Sequence, residues 1–189
     1  TTKVIPAAPA GLTATRGTAG MVTLTWQANP EPDINGYRVE SSKRATDGFR
    51  EFMFVPASGG ATMTATEASL EPGEVRYYRV RARDNERLES EWSAVAEGMA
   101  KPLPEAPSAL QAEAAGQAFL ISWQPPPQSD ITGYRVWAQK RLMFGWDQIG
   151  TAAQNNYRLA IGADDRPPVI AVTAIDQDQL ESEKSEPLK

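Results

Sequence analysis

The sequence predicts an all-β protein made of two antiparallel β-sandwiches in tandem, and two observations support this. Short stretches of alternating apolar and polar residues recur along the chain, separated by turns rich in Pro, Gly, Asn and Asp, which is typical of sandwich strands. The chain also repeats itself, because the run from Pro32 to Val39 (PDINGYRV) returns from Ser129 to Val136 (SDITGYRV), 97 positions later. A repeat of this length corresponds to whole domains, each with its own core.

A second shared string shows how far the two units correspond. Residues 88–91 (LESE) return at 180–183, 92 positions later, so the second unit is 5 residues shorter between the two strings. A chain of 189 residues has room for two domains of about 100 residues each. We predict a first domain at 1–100, a Pro-rich linker at 101–107 and a second domain at 108–189. Three prolines in the linker favour an extended polyproline II spacer that is semi-rigid.

The strands of the first unit follow from the alternation of residue types. Residues 22–26 (VTLTW) alternate apolar side chains with threonine, which predicts a half-buried strand. The next strand begins around Tyr37 and Val39, directly after a glycine. Residues 78–83 (YRVRAR) alternate core residues with arginines, so this strand has one face in the core and the other in water. The turn before it is 71–73 (EPG), where Pro fixes φ and Gly tolerates positive φ.

The second unit repeats these strands at 119–123 (FLISW), 134–138 (YRVWA) and 170–174 (IAVTA). No stretch of the chain has a convincing helical period. Several short strands at regular spacing therefore favour an antiparallel sandwich in both halves.

Taken in order, these residues resemble the fibronectin type III family. In the first unit the resemblance rests on Pro9, Leu12, Trp26, Tyr37, the turn at 70–73, the strand at 78–82 and the segment 84–90; in the second unit it rests on Pro107, Leu110, Trp123, Tyr134, Ile161 and Val172. The resemblance implies the immunoglobulin-like sandwich of that family. One departure is the corner tyrosine, which the family usually places six residues after the Leu of the turn, where this chain has Arg76.

The sequences of the repeated strings also indicate the kind of organism the protein comes from. The strings PEPDINGY and LESE are similar to those of fibronectin-type units in bacterial envelope and secreted proteins. The adhesion tripeptide Arg-Gly-Asp is missing from the sequence. The resemblance therefore implies a bacterial protein.

Composition excludes several kinds of chemistry. The chain has no histidine and no cysteine, which excludes Ser-His-Asp and Cys-His catalytic sites, disulfides, and His- or Cys-based metal sites. A net charge of −5 argues against nucleic acid as the main partner. No apolar run approaches the length of about 20 residues that crosses a bilayer. We therefore expect no enzyme activity, no cofactor and no transmembrane segment.

Two groups of carboxylates are candidate sites. Asp164-Asp165 and the pair Asp176 and Asp178 could in principle serve glycoside hydrolysis, which needs two facing carboxyl groups. The segment 176–178 could also contribute oxygen ligands to calcium, although the other ligands of a calcium loop are missing. Because both groups lie in turn-like segments, we interpret them as solvated turn carboxylates and predict no metal site.

The outward faces of the two units differ. In the first unit the outward positions are Arg38, Glu40, Arg79, Arg81 and Arg83, which indicates a solvated face with cross-strand ion pairs or, alternatively, an anion-binding face. In the second unit the matching positions are less charged: Arg135, Trp137, Gln139, Ala171, Thr173 and Ile175. Because exposed apolar area and tryptophan mark interaction sites, we predict that this face binds a protein through Trp137.

A second aromatic group lies in the following hairpin, at Phe144 and Trp146. Aromatic residues in a hairpin pack on neighbouring strands or stack on a sugar ring or a partner loop. We keep both alternatives and add these two residues to the predicted binding site.

These observations favour a non-enzymatic spacer and docking module of a bacterial cell-envelope assembly, with a lipoprotein subunit as one form. Its expected partners are other envelope or extracellular proteins, and its expected location is the cell envelope or the medium. The start at Thr1 suits a chain whose leader or lipid anchor lies upstream. The alternative is an accessory region of a secreted carbohydrate-active enzyme.

Overall fold

The computed structural model describes residues 4–139, 145–160 and 168–188, and these residues contain fourteen strands and no helix. The chain divides into two compact units, unit 1 (Thr1–Pro102) and unit 2 (Leu103–Lys189), so the division falls inside the predicted linker. Among the described residues, no helix is long and apolar enough to cross a membrane. The all-β prediction is confirmed.

Unit 1 is a sandwich of two sheets. A three-stranded sheet has the order β1-β3-β6, and a five-stranded sheet has the order β2-β8-β7-β4-β5. All pairs are antiparallel except β2 with β8. The strands are β1 (Thr13–Ala14), β2 (Arg16–Thr18), β3 (Met21–Gln27), β4 (Ile34–Ser42), β5 (Arg50–Pro56), β6 (Thr62–Ala68), β7 (Val75–Asp84) and β8 (Ala96–Ala100).

Unit 2 repeats the two-sheet arrangement with fewer described strands. One sheet has the order β13-β10-β9 and the other has the order β12-β11-β14, all antiparallel. The strands are β9 (Ser108–Ala114), β10 (Ala118–Gln124), β11 (Ile131–Gln139), β12 (Trp146–Ala152), β13 (Asn156–Ala160) and β14 (Ile170–Asp176).

The predicted alternation of strands decides which side chains form each core. In β7, Tyr78, Val80 and Ala82 are fully buried, whereas the arginines between them remain partly exposed. In β3, Val22 and Leu24 are also fully buried. Burial of apolar area contributes about 25 cal/mol per Å², so these inner faces hold the two sheets together.

A tryptophan and a tyrosine form the centre of each core and join the two sheets. The rings of Trp26 on β3 and Tyr37 on β4 meet edge to face, with centroids 5.5 Å apart. Trp123 on β10 and Tyr134 on β11 repeat this contact at 5.1 Å. Edge-to-face pairs of this kind add about 0.5–1.5 kcal/mol beyond area burial. The same two residue types therefore perform the same packing in both units.

An ion-pair cluster occupies the corner where the family usually has a tyrosine. Arg76 Nη2 lies 3.0 Å from Glu74 Oε1, and Lys43 Nζ lies 3.3 Å from the same oxygen. The other oxygen of Glu74 accepts the backbone N–H of Glu71 at 3.1 Å. A carboxylate therefore closes this turn in unit 1.

Serine pairs attach the segment after the last long strand of each unit. Ser182 donates its backbone N–H to the carbonyl of Ala174, and its hydroxyl accepts the N–H of Ala174, both at 2.9 Å. Ser185 binds both backbone groups of Val172 in the same way, at 2.9 and 3.0 Å. In unit 1, Ser90 and Ser93 make the same contacts with Ala82 and Val80. The segments 88–93 and 180–185 are thereby held along the sheet edge without forming a regular strand.

Candidate interaction faces

The outward arginines of unit 1, which we call the arginine face, are Arg38, Arg79, Arg81 and Arg83. The first three form ion pairs, and Arg83 Nη2 donates to Asn35 Oδ1 at 3.2 Å. Arg79 donates from Nε and Nη2 to Glu40 Oε2 at 2.9 and 2.7 Å. Glu89 accepts Arg81 at 2.6 Å and Arg38 at 3.3 Å, one on each oxygen. The Arg79–Glu40 pair joins the neighbouring strands β7 and β4, as the ion-pair interpretation of this face requires, and Glu89 binds its arginines from the segment after β7.

Aromatic rings fill the spaces between these cations. The guanidinium of Arg79 lies 4.3 Å from the ring centroid of Phe49 and 4.1 Å from that of Trp92. Arg81 lies on the same Trp92 ring at 4.4 Å. Arg83 stacks on Phe54 at 4.2 Å. The ion pairs and cation–π contacts together hold these guanidinium groups against side chains of unit 1.

The corresponding face of unit 2 has a different composition, and we call it the tryptophan face (Arg135, Trp137, Gln139 and Trp146). Trp137 is half-buried, and its Nε1–H donates to Thr173 Oγ1 at 3.0 Å. Thr173 in turn donates to Glu181 Oε1 at 2.6 Å, and the second oxygen of Glu181 pairs with Arg135. Gln139 lies exposed at the end of β11.

The strand register brings Trp146 onto this face. Gln139 on β11 lies directly opposite Trp146 on β12, and Trp137 lies opposite Gln148. Directly opposed residues of antiparallel strands point to the same side of the sheet, so both tryptophans share one face. Trp137 and Trp146, which the sequence suggested separately, thus lie on one face of unit 2.

The cation and the aromatic ring of the cation–π contact exchange places between the two units. Trp92 of unit 1 lies above the sheet and receives Arg79 from β7, while Glu40 on β4 neutralises that arginine. In unit 2 the homologous positions carry Lys184 above the sheet and Trp137 on the strand, with Lys184 Nζ 4.3 Å from the indole centroid. Ala171 stands where Arg79 would be, and its small side chain leaves room for the indole.

Part of the predicted binding face is not accessible. Ala171 and Thr173 were expected on the surface, but they are 0 % and 2 % exposed, so neither can contact a partner. The reason is that the chain itself covers them, with Trp137 on one side and the segment carrying Glu181 and Lys184 on the other. Ile175 is half-buried. Phe144 lies outside the described residues.

The carboxylates at the end of β14 have a structural role. Oxygens of Asp130, Asp176 and Asp178 lie within 4.8 Å of one another. Asp176 is buried, and its Oδ1 accepts the backbone N–H groups of Asp178 and Leu180, both at 2.9 Å. Asp84 closes the same turn in unit 1 by accepting the N–H of Leu88 at 2.8 Å. Asp164 and Asp165 lie outside the described residues.

The N-terminal segment of unit 1 is bound to the loop before β4. Glu31 Oε1 accepts the backbone N–H of Ala7 at 2.7 Å, and Asn29 Nδ2 donates to the Ala7 carbonyl at 2.8 Å. The Ala7 hydrogen bond is the main reason that the pKa of Glu31 lies below its ordinary value. Burial, in contrast, raises the pKa of Tyr37, although the phenolic oxygen accepts the Asn29 N–H at 2.7 Å.

Sequence reasoning missed the residues that complete both faces: Glu89, Trp92, Glu181 and Lys184. The repeated string LESE marks the segments that carry them, and in each segment a glutamate directly precedes a serine. The segments have no strand period, because serine hydroxyls replace half of the usual ladder bonds. Nothing in their pattern therefore showed that they lie against the outward faces.

Comparisons with known proteins found similar curated proteins and similar solved structures. No protein-family model matches the chain. The chain is 31% identical over 159 residues to receptor-type tyrosine-protein phosphatase F of Danio rerio. The matched region covers 79% of this chain and 8% of that protein. The chain is 28% identical over 160 residues to the Mus musculus protein of the same name, covering 81% and 8%. The chain thus spans about a twelfth of the curated relatives that it matches.

Solved structures include two similar chains. The FN1–FN3 domains of chicken CNTN1 match with a TM-score of 0.46 and 20% identity, covering 100% of this chain and 66% of that one. A Fn3-like protein from Clostridium thermocellum matches with a TM-score of 0.43 and 27% identity, covering 53% and 98%. The chain's own sheets, cores and repeated Trp–Tyr pairs make it a tandem of two immunoglobulin-like β-sandwiches, a fold consistent with that of fibronectin type III domains.

Proposed function

We propose that this chain is a non-enzymatic spacer and docking module that binds another protein through the tryptophan face of unit 2. The observation that supports it most is that two half-buried tryptophans, Trp137 and Trp146, occupy diagonal positions of neighbouring strands on one sheet face. In unit 1 the arginine face is filled by its own arginines and acidic residues. Unit 2 lacks the three arginines of β7 and leaves aromatic surface at the homologous place.

The contacts of this face indicate the chemistry of the partner. Tryptophan is enriched among residues that dominate binding energy, and polar residues usually surround such an anchor. Here the indoles would form the centre, with Arg135 and Gln139 at the rim. Lys184, an exposed cation above Trp137, favours a partner with an apolar side chain beside an acidic one.

We place the module outside the cytoplasm, in a cell-envelope assembly or a secreted protein of a bacterium, with a lipoprotein subunit as one form. The curated relatives are named as receptors, which is in keeping with an extracytoplasmic position. The strings PEPDINGY and LESE support the bacterial source.

Site-specific photocrosslinking in the native host tests the docking face. A crosslinking residue at Gln139 should capture one defined protein, because this side chain is exposed beside Trp137 and Trp146. The matched control is the same residue at Leu120, which is 39% exposed on the other sheet of unit 2. Equal crosslinking patterns at both positions would refute the face.

The captured partner then allows a titration with purified proteins. Trp137→Ala should weaken binding by about 2 kcal/mol, or roughly thirty-fold, if the indole is an anchor. Leu120→Ala should leave the affinity unchanged. Unchanged affinity in the folded Trp137 variant would remove the indole from the interface.

The alternative function, an accessory region of a secreted carbohydrate-active enzyme, rests on Trp146. A half-buried indole at the start of β12, next to a second indole, can stack on a sugar ring. Titration with neutral oligosaccharides separates the two functions, since saturable quenching of Trp fluorescence that is lost in Trp146→Ala would favour the sugar.

A further inference from the structure

A groove lined by cations opens in unit 1, away from the arginine face. It has a volume of about 540 Å³ and lies where the β4–β5 hairpin meets the start of β7. Its lining contains four cationic side chains and no acidic one among the described residues: Lys43, Arg44, Arg50 and Arg76. Small-molecule sites occupy about 300–1,000 Å³, so the groove is large enough for a sugar-sized ligand.

The cations of the groove are only partly neutralised. Glu74 is shared between Arg76 at 3.0 Å and Lys43 at 3.3 Å, and Asp47 pairs with Arg44 inside the hairpin loop. Arg50 makes no ion pair with any residue that the structure describes. Glu67 also lies beside the groove and accepts the Ser41 hydroxyl at 3.2 Å. Four cations therefore meet three acidic residues, and the balance at the groove stays positive.

Glu74 remains ionised at neutral pH and holds the base of the groove in place. Its burial alone would raise its pKa, but the Glu71 N–H and the nearby Lys43 and Arg76 outweigh burial and keep the pKa below its ordinary value. Arg76 is correspondingly fixed, with 20% of its side chain exposed. The side chains of Lys43 and Arg44 are 72% and 71% exposed, so a ligand can reach both from the solvent side of their ion pairs.

The wall of the groove is preformed. Ser42 Oγ donates to the Asp47 carbonyl at 2.6 Å and accepts the Arg44 N–H at 3.0 Å, which closes the loop on itself. Gly48 adopts a φ of +74°, and an added Cβ would lie 3.3 Å from both Ser42 Oγ and Arg44 Nη2. A loop ordered before binding loses less entropy when a ligand arrives, so its charges act with less cost.

We propose that this groove binds a multiply charged oxyanion, namely sulfate or phosphate esters carried on a sugar-sized molecule. Guanidinium groups present parallel N–H donors that match such oxyanions, and lysine adds a point charge. Several cations around one space favour a ligand with more than one negative charge over a single carboxylate. The arginine face is a weaker candidate, because Glu40 and Glu89 already pair with three of its four guanidinium groups.

Calorimetric titration of the full chain at low ionic strength tests the groove. The probes are sucrose octasulfate for sulfate esters and inositol hexakisphosphate for phosphate esters, with sucrose and inorganic sulfate as references. At least one ester should bind with a stoichiometry of one, and sucrose should not bind. If neither ester binds, or if inorganic sulfate binds as tightly as the esters, the proposal is wrong.

A charge-matched pair of variants locates the site. Lys43→Gln with Arg50→Gln removes two groove cations and should weaken ester binding about tenfold or more, since 1.4 kcal/mol of lost ionic contact corresponds to a factor of ten. Arg16→Gln with Arg158→Gln removes two exposed cations elsewhere and should change it less than about twofold. Equal weakening in both variants would show attraction to general charge and overturn the site.

All four substitutions lie at exposed positions, so thermal unfolding should be little changed in either variant. The titration of the groove is independent of the tryptophan face, because Lys43 and Arg50 lie in unit 1 and the tryptophan face lies in unit 2. Whichever ester binds more tightly identifies the natural source of the anion.

Discussion

At the scale of single residues, the buried Trp–Tyr pairs decide how stable each unit is. Trp26 is 1% exposed and Trp123 is 3% exposed, and each meets its tyrosine edge to face. Replacement of either by Ala should lower the free energy of unfolding by about 3–5 kcal/mol, the usual cost of removing a buried large aromatic ring. Urea denaturation of each variant and of the parent chain measures this loss in the free energy of unfolding.

The control for this prediction is Leu120→Ala, because Leu120 is a large apolar side chain that is 39% exposed. It should cost less than about 1 kcal/mol. Losses below about 1 kcal/mol at both tryptophans would contradict the assignment of the two cores.

A single carboxylate makes the attachment of the N-terminal segment dependent on pH. The pKa of Glu31 is lower in the folded chain than its ordinary value of 4.5, chiefly because the carboxylate accepts the Ala7 N–H. The contact therefore stabilises the folded state above that value and is lost as the pH falls through the lower folded pKa. The Ala7 amide resonance, followed by NMR during acid titration, should report this loss.

Glu31→Gln is the matched control, since the amide keeps the shape and one acceptor but does not ionise. In this variant the Ala7 amide should show no transition in the acid range. The same transition in both proteins would assign it to another group.

At the scale of elements, the segment after β7 is expected to stabilise unit 1 more than its counterpart stabilises unit 2. Trp92 receives two guanidinium groups, whereas Lys184 makes one cation–π contact. Such contacts contribute about 0.5–1 kcal/mol each at exposed sites. Trp92→Leu should therefore cost about 1–2 kcal/mol, and Lys184→Leu less than about 1 kcal/mol.

Chemical denaturation of both variants measures the difference. Because the two substitutions act on different units, each is compared with its own unit's transition in the parent chain. A larger loss for Lys184→Leu than for Trp92→Leu would contradict the proposed role of the Trp92 ring.

The elements also show what the sequence could predict. Alternation along β3 and β7 identified the inner residues because a strand places successive side chains on opposite faces, and Val22 and Val80 are indeed buried. The same reasoning put Ala171 and Thr173 on an open face, which is wrong. Their cover comes from the segment 180–185, whose attachment through serine hydroxyls leaves no periodic pattern to read.

The tryptophan face was predictable only in part. Trp137 and Gln139 follow from the alternation of β11, but the position of Trp146 depends on the register of β12. That register includes a shift next to Val136, which a single sequence does not reveal. The groove cations were missed for a similar reason, since they come from a loop and from β7 and meet only in the folded unit.

At the scale of the whole molecule, the two units are expected to unfold separately. Each core cluster contains residues of one unit only. In the full chain, Trp123→Ala should therefore lower the melting temperature of one transition and leave that of unit 1 unchanged. Scanning calorimetry of the variant, and of the separate pieces 1–102 and 103–189, measures this.

A shift of both transitions by the same substitution would contradict independent folding. Trp26→Ala is the reciprocal experiment and should affect only the other transition. A piece that fails to fold alone, while its partner piece folds, would show dependence in one direction.

The serine pairs have a consequence for the solubility of the chain. A free sheet edge is a template for strand addition, and neighbouring domains of similar sequence in one chain meet at high local concentration, where exchange of strands and aggregation become hazards. Ser182 and Ser185 bind the edge groups of β14, and their own hydroxyl protons go to the carbonyls of Glu183 and Glu186. An incoming strand would find these donors and acceptors already satisfied, so both units carry, at the same place in the repeat, a segment that blocks strand addition there.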